Sequence, residues 1–292
     1  MTGVARLLDL LRCPRCDLAF TDEDASVRCA SGHHFDLARQ GYLNLLQNPP
    51  PRHADTAEMV AARERFLGSG SYRPVADALV QAVRSGLVAL RGSAPTAPAL
   101  IETGAGTGYY TAALVDGLGG RGLALDISTA AARRAARAHH RVAAVVADAW
   151  GPLPVVDGRL DVAASVFAPR NAGEFARVLK PDGVLAVVTP LPEHLAELRA
   201  ALGLLDVEQD KQERLAGTLA DAFAPLAEEQ VRYPVSWPPP VVVDLVAMGT
   251  NAFHLSSAEL TDRVAGLPDP VPATVAVSVS TWVKTPAPAS PR

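Results

Sequence analysis

"LIETGAGTGYYTAAL", Leu100 to Leu114, decides the fold of this 292-residue chain. An aliphatic run ends at Glu102, and Gly104, Gly106 and Gly108 alternate with Ala105 and Thr107 before a segment of helical character begins. Glycine tolerates positive φ and carries no side chain, so such a loop between strand and helix lets a ligand approach the backbone. The pattern is E-x-G-x-G-x-G. Dinucleotide enzymes show G-x-G-x-x-G and P-loops continue into G-K-[S/T], so hydride and phosphoryl transfer are disfavoured. Farther on, "LALDIS" places Asp126 at the tip of a second strand, where a carboxylate can accept hydrogen bonds from two ribose hydroxyls. Loop and acid together point to an adenosine-type ligand. Asp148 in "VADAW" ends a third strand, either facing the adenine or serving as a turn residue. Glu102 either meets the ligand or ties down the glycine turn.

Outward from this loop the pattern repeats. "ALIETG", "RGLALDI", "RVAAVVAD", "LDVAASVFA" and "GVLAVVTP" read as strands, and "YYTAALVDGL", "STAAARRAARAHH" and "NAGEFARVLK" as the helices between them. This alternation predicts a doubly wound, mostly parallel α/β sheet covered on both faces. "EEQVRYPVSW" and "ATVAVSVSTWVK" read as late strands completing it. Upstream, "DTAEMVAARERFLGSG" reads as a helix capped by Asp55 or Thr56 and stopped at Gly68, and a second helix runs from Pro74 to about Leu90.

All three cysteines lie near the N-terminus, in "LRCPRCDLAFTDEDASVRCASGHHF". Cys13 and Cys16, with Cys29 and His33, supply three thiolates and an imidazole at the spacing of a tetrahedral zinc site. His34 is the alternative fourth ligand. Four protein ligands close the coordination sphere, so one structural Zn2+ per chain is expected, holding together a unit too small to rest on its apolar content alone. The prolines of "QNPPPRH" then force an extended spacer. The expected organisation is a zinc ribbon over 1–46, linker and helices over 47–96, the α/β domain over 97–284 and a disordered tail over 285–292.

A formal net charge of −4 gives no global attraction to nucleic acid, so any such contact must come from local basic patches. Candidates are Arg12, Arg15, Arg28, Arg39 and Arg52, and "RRAARAHHR" from Arg133 to Arg141, whose plainer reading is a solvated helix face. No secretion-signal pattern opens the chain and no apolar run is long enough to span a bilayer, so a cytoplasmic protein without a membrane partner is expected.

The zinc motif, "FDLARQGYLNLL", "DTAEMVAARERFLGSGSY", "ETGAGTGYY", "LDIS", "VFAPRNAGEFARVLKPDG", "TPLPEHLAEL" and "VAMGTNAFH" together resemble the 23S ribosomal RNA guanine-N1 methyltransferases. The resemblance covers nearly the whole chain. It implies a Rossmann-like class I methyltransferase fold, S-adenosylmethionine as cofactor and a hairpin of 23S ribosomal RNA as partner. It also implies cofactor contacts at Tyr72, Gly106, Thr107 and His194. "VFAPRN" ends the fourth strand, bordering the transferred methyl, where Phe167 could stack on a guanine and Arg170 hold a phosphate, or the two could be core and surface residues. "ADTAEMVAARERFLGSGSY", "VFAPRN" and "VAMGTNAFH" look more like the branch linked to tylosin-type macrolide resistance.

Guanine N1 carries a proton that must leave, yet no residue identifies itself as the base by spacing, and no catalytic residue is assigned. Two other readings remain. One is a small-molecule methyltransferase whose ribbon supports a homodimer or lids a pocket; the other is a non-enzymatic zinc-ribbon adaptor. The intact glycine loop and Asp126 argue against the second.

Overall fold

The computed structural model describes residues 3–49, 54–93, 95–205, 211–249 and 256–285. Residues 50–53 of the proline spacer, 250–254 of "VAMGTNAFH" and 286–292 of the tail lie outside them. A 3-10 helix at Ala5–Leu10 leads into an antiparallel ribbon of β1 (Phe20–Glu23), β2 (Ser26–Cys29) and β3 (His34–Asp36), then β4 (Leu43–Asn44). Two helices follow, α1 (Ala57–Gly68) and α2 (Arg73–Arg91). The alternating region comprises β5 (Ala99–Thr103), α3 (Tyr109–Leu118), β6 (Arg121–Asp126), α4 (Thr129–Ala135), β7 (Val142–Val146), β8 (Leu160–Val166), α5 (Ala172–Val178) and β9 (Leu179–Pro190). It is followed by α6 (Ala196–Leu202), α7 (Lys211–Leu219), β10 (Phe223–Trp237), α8 (Pro239–Ala247), α9 (Ser257–Ala265) and β11 (Val271–Lys284).

Local chemistry accounts for the boundaries. Thr56, of the two possible caps, accepts from the Met59 amide and starts α1. Gly92, at φ 74°, ends α2 by donating to the Val88 carbonyl. The helix expected over "STAAARRAARAHH" is shorter than the pattern suggested. After Ala135 the chain tightens, with the amides of Arg137 and Ala138 donating to the carbonyls of Arg134 and Ala135 three residues back. Likewise α5 stops at Val178, and Leu179, expected in that helix, opens β9 by pairing with Leu160.

The main sheet has the order β10-β11-β9-β8-β5-β6-β7-β4. Strands β4 to β9 run parallel to their neighbours, while β11 lies antiparallel between β9 and β10. The fold is mixed α/β with a mostly parallel central sheet. Strand order reverses at β5, whose flanks are β6 and β8, so the loops leaving the carboxyl ends of these strands frame the crevice where open sheets bind ligands.

Each face of the sheet has its own core. On one, α2 lays Val75, Leu79, Val83 and Leu87 against the strands together with Leu114 and Val115 of α3. On the other, α5 contributes Phe175 and Val178, and the N-terminal segment fills the rest with Leu7, Leu10, Leu11, Phe20, Val27 and Phe35, packed into one cluster with Ile101, Leu125 and Val145. No helix covers the β7–β8 connection. The 3-10 helix takes that place: Val156 N donates to the Leu10 carbonyl and Arg12 N to that of Pro154, while Leu43 and Asn44 add β4 to the edge beside β7.

Leu10, 1% exposed, therefore belongs to the core of the sheet. Leu10→Ala is expected to cost about 2–5 kcal/mol. Tryptophans lie only in the later part of the chain, so a denaturation curve followed by Trp282 fluorescence, which shares this cluster, should shift with it. An unchanged midpoint would show that the ribbon unfolds separately.

Candidate functional site

The carboxyl edge of the parallel strands gathers most of the residues singled out from the sequence. Gly104, Gly106 and Gly108 all have positive φ, at 67°, 53° and 78°. A Cβ on Gly104 would lie 2.6 Å from Cβ of Ala168 in the β8 loop, and one on Gly108 would lie 3.0 to 3.1 Å from Ala135 and Ala138 beyond α4. The loop is thus wedged between alanines on two sides, and only glycine satisfies both conformation and space. Thr107 is buried within it.

Asp126, 8% exposed, accepts from Gly106 N at 2.8 Å and from Ser128 N at 2.9 Å. Burial raises its pKa, against the opposing pull of these two amides. Glu102 is buried deeper, at 1%, and its hydroxyl partner is Thr111, which donates to Oε2. Desolvation pushes the Glu102 carboxyl up to about 8, only partly countered by Thr111. Asp148 turns back on its own chain, accepting from Trp150 N at 2.9 Å.

Tyr72, the N-cap of α2, reaches this edge from below. Its ring stands edge-on to Phe66, 4.8 Å between centroids, and Phe66 in turn meets Trp237 at 5.5 Å. The Tyr72 hydroxyl lies 3.0 Å from Nε2 of His194. Because Nδ1 of His194 faces the amide of Ala276 at 3.2 Å and an amide can only donate, the proton of the neutral ring sits on Nε2. His194 therefore donates to Tyr72, whose own O–H remains available as a donor. Phe167 completes the group, with its ring 6.0 Å from Tyr72 and 6.1 Å from His194. It is 41% exposed with φ at 53°, an unusual conformation for a bulky residue and one expected at a functional edge. Arg170, three residues on, is partly buried, and desolvation lowers its pKa.

Two residues of this edge were not legible from the loop motif. Arg63 of α1 packs over Gly106 and donates to Asp55 through Nη1 and to the Met248 carbonyl through Nη2 at 2.8 Å. Its signal was position: it shares a helical row with the buried Met59 and Leu67. Trp150 is 66% exposed on the β7 loop, with its carbonyl held by Asn171 Nδ2 at 2.9 Å. Its aromatic character on a carboxyl-end loop was the available clue.

Cys13, Cys16, Cys29 and His33 bring four ligand atoms within 4.8 Å of one another, a set able to hold a metal ion. The cysteines are free thiols, with Cys16 and Cys29 Sγ atoms 3.5 Å apart, and His33 turns Nδ1 toward Cys13 and Cys29 at 3.5 Å each. His34 points elsewhere, toward Asp36. Of the ribbon arginines, Arg12 pairs with Asp17 and Asp157, Arg28 with Glu23, and Arg15 lies over the Phe35 ring; Arg39 is exposed and Arg52 falls outside the described residues. In the basic run, Arg134 pairs with Glu64 and Arg141 with Asp116, while Arg133 and Arg137 are exposed.

Comparison with known proteins joins these two centres. Residues 11–49 match the family described as "RlmA, N-terminal", a zinc ribbon, and residues 100–183 match "Methyltransferase domain". A Micromonospora griseorubida protein named putative 23S rRNA (guanine-N(1)-)-methyltransferase is 46% identical over 94% of this chain and 98% of its own. The chain belongs to the 23S rRNA (guanine-N1) methyltransferase family. A Streptomyces fradiae member, named 23S rRNA (guanine(748)-N(1))-methyltransferase, is 44% identical over 88% of this chain and 91% of its own. A Bacillus subtilis member is 34% identical over 66% of this chain and 68% of its own. The protein is accordingly an enzyme of the methyltransferase class. No helix among the described residues is long and apolar enough to cross a membrane.

Glu102 gives this site a pH signature. An acid whose folded pKa is raised stabilises the fold while both states are protonated and loses that contribution as pH rises from the ordinary carboxylate range toward the folded value, near 8. The ligand-free methyltransferase should thus lose stability with a limiting slope of about 1.4 kcal/mol per pH unit in that window. Glu102→Gln should flatten the slope in denaturant midpoints measured from pH 5 to 8; equal slopes would mean that Glu102 is ionised throughout.

Proposed function

We propose that this enzyme transfers a methyl group from S-adenosylmethionine to N1 of a guanine in 23S ribosomal RNA, at the position corresponding to guanine 748, and so protects the ribosome against tylosin-type macrolides. The observation that carries this reading is 44% identity over 88% of the chain to a relative named for methylation of that guanine. Methylation of the pairing edge adds bulk and removes a hydrogen-bond donor, both of which weaken a drug seated against it.

The residues at the carboxyl edge fit the cofactor. Thr103 Oγ1 and Tyr110 Oη, at the two ends of the glycine loop, are buried without a partner among the described residues. Such atoms are costly unless a ligand satisfies them. Gly106 and Thr107 would line the cofactor, Asp126 would accept from its ribose, and Tyr72 and His194 would border its reacting end, with Gly104, Gly108, Glu102 and Asp148 shaping the cleft. The cofactor supplies an electrophilic methyl on a sulfonium. The chain's task is then positioning: Tyr72, held by Phe66 and His194, presents a fixed O–H, and the ring of Phe167 offers a face on which a purine can stack. Trp150 offers a second such face at the rim. Arg170, Arg39, Arg133 and Arg137 are the cations suited to the RNA backbone. Because N1 lies on the pairing edge, the guanine must leave its stack to react.

The donor set of Cys13, Cys16, Cys29 and His33 fits Zn2+, whose preference is for tetrahedral sulfur and nitrogen ligands. Four protein ligands close the site, so the metal would be structural. Cys16→Ser should lower zinc content, measured by atomic absorption, and lower the melting temperature of the whole protein. Full zinc with unaltered melting would count against this ligand set.

Primer extension on 23S RNA tests the reaction. RNA incubated with protein and cofactor should acquire a reverse-transcriptase stop at one guanine, and expression in a sensitive host should raise the tolerated tylosin concentration. Methyl incorporation into a metabolite pool with none into RNA would instead favour the small-molecule alternative.

A further inference from the structure

We infer that Arg63 receives the α-carboxylate of the cofactor's amino-acid arm. The inference rests on S-adenosylmethionine being the cofactor. That molecule brings two positive groups, a sulfonium and an ammonium, and one negative group, its carboxylate. The cleft holds the opposite of the first two, since Asp126 and Asp55 lie near the loop. The carboxylate needs a cation among them.

Arg63 is placed to be that cation. Its Cδ and Nη1 lie 3.1 and 3.0 Å from where a Cβ on Gly106 would stand, so the guanidinium rests on the bare face of the loop. Its charge is felt by both Glu102 and Asp126. Its side chain is 22% exposed, and Asp55 and the Met248 carbonyl hold it from two sides while occupying two of its five donors. Asp55 is itself anchored, because its carbonyl accepts from Ser128 Oγ at 2.8 Å beside Asp126. A planar fork fixed in this way is pre-organised for two-point recognition of a carboxylate. The first turn of α3, which follows the loop, adds partial positive charge on the same side.

The duller role is a strut joining α1 to the end of α8. Two ligands separate the roles. S-Adenosylhomocysteine and 5′-methylthioadenosine share the adenosine and an uncharged sulfur but only the first has the amino-acid arm. Calorimetric titration of Arg63→Gln should show its affinity for S-adenosylhomocysteine falling about ten- to a hundredfold. Affinity for methylthioadenosine should stay within about threefold of the parent, the non-additive scatter of a neutral change. Arg63→Lys, which keeps the charge but not the fork, should fall between. Equal losses for both ligands, or no loss for either, would overturn the assignment. So would a selective loss in Arg170→Gln with none in Arg63→Gln, which would move the carboxylate to the β8 loop. If the parent enzyme binds neither S-adenosylmethionine nor S-adenosylhomocysteine, the cofactor reading itself fails, a result distinct from the others.

Discussion

The arrangement of the cleft depends on how closely the glycine loop approaches the alanines beside it. Gly104 touches the β8 loop through Ala168, and Gly108 touches the end of α4 through Ala135 and Ala138. These contacts draw together the three connections that leave β5, β6 and β8. A methyl group at Gly104 would force the β8 loop to shift, and one at Gly108 would require the end of α4 to give way. The alanine-rich α4 belongs to the same constraint, since larger side chains facing Gly108 would hold the helix off. Asp126 then ties the loop to the tip of β6 by accepting from Gly106.

Charge in the cleft follows from burial. Burial raises the pKa of both carboxyls, Glu102 and Asp126, and Glu102 rises to about 8. Arg63 partly offsets the two, and it is itself held by Asp55. The site is thus balanced for a ligand that carries both signs of charge. Elsewhere the sheet is locked by ordinary pairs. At the amino end of β8, Asp161 is taken up by Arg91, Lys180 and the Ala99 amide, which together outweigh its desolvation and hold its pKa low. Among the described residues, only the carboxyl edge keeps buried hydroxyls without partners beside a pre-formed loop, and there function takes precedence over satisfaction.

Much of this was readable from the residues. The alternation of aliphatic runs with helical segments determined the parallel sheet, because crossover connections leave few alternatives, and the cysteine spacing marked the metal cluster because four soft ligands have few other uses. Long-range placement was not readable. Nothing local in Leu43 and Asn44 says that they extend the main sheet beside β7, nor does the pattern of "ATVAVSVSTWVK" say that it inserts between β9 and a strand that precedes it. Those outcomes are decided by which edges remain uncovered once the domain collapses. Helix ends failed for a related reason. "STAAARRAARAHH" has alanine propensity throughout, but close packing against Gly108 tightens its last turn. Arg63 was hidden because an arginine in a helix pattern reads as surface until the neighbouring loop is known to come up against it.

The ribbon's placement bears on how RNA is handled. Its apolar side is part of the sheet's own core and its last strand is hydrogen-bonded to β7, so metal cluster and methyltransferase sheet form one packed body. A shared apolar core and a strand pairing of this kind oppose independent motion. On the proposed function, the recognition head therefore cannot swing a bound guanine into the cleft. The RNA has to arrive with the base already looped out, or be deformed against a rigid surface, and discrimination then lies in which RNA shapes fit ribbon and cleft at once. The exposed aromatic faces of Phe167 and Trp150, both on loops pinned by backbone hydrogen bonds, suit such a scheme: they offer stacking to replace what the base gives up, without any rearrangement of the enzyme.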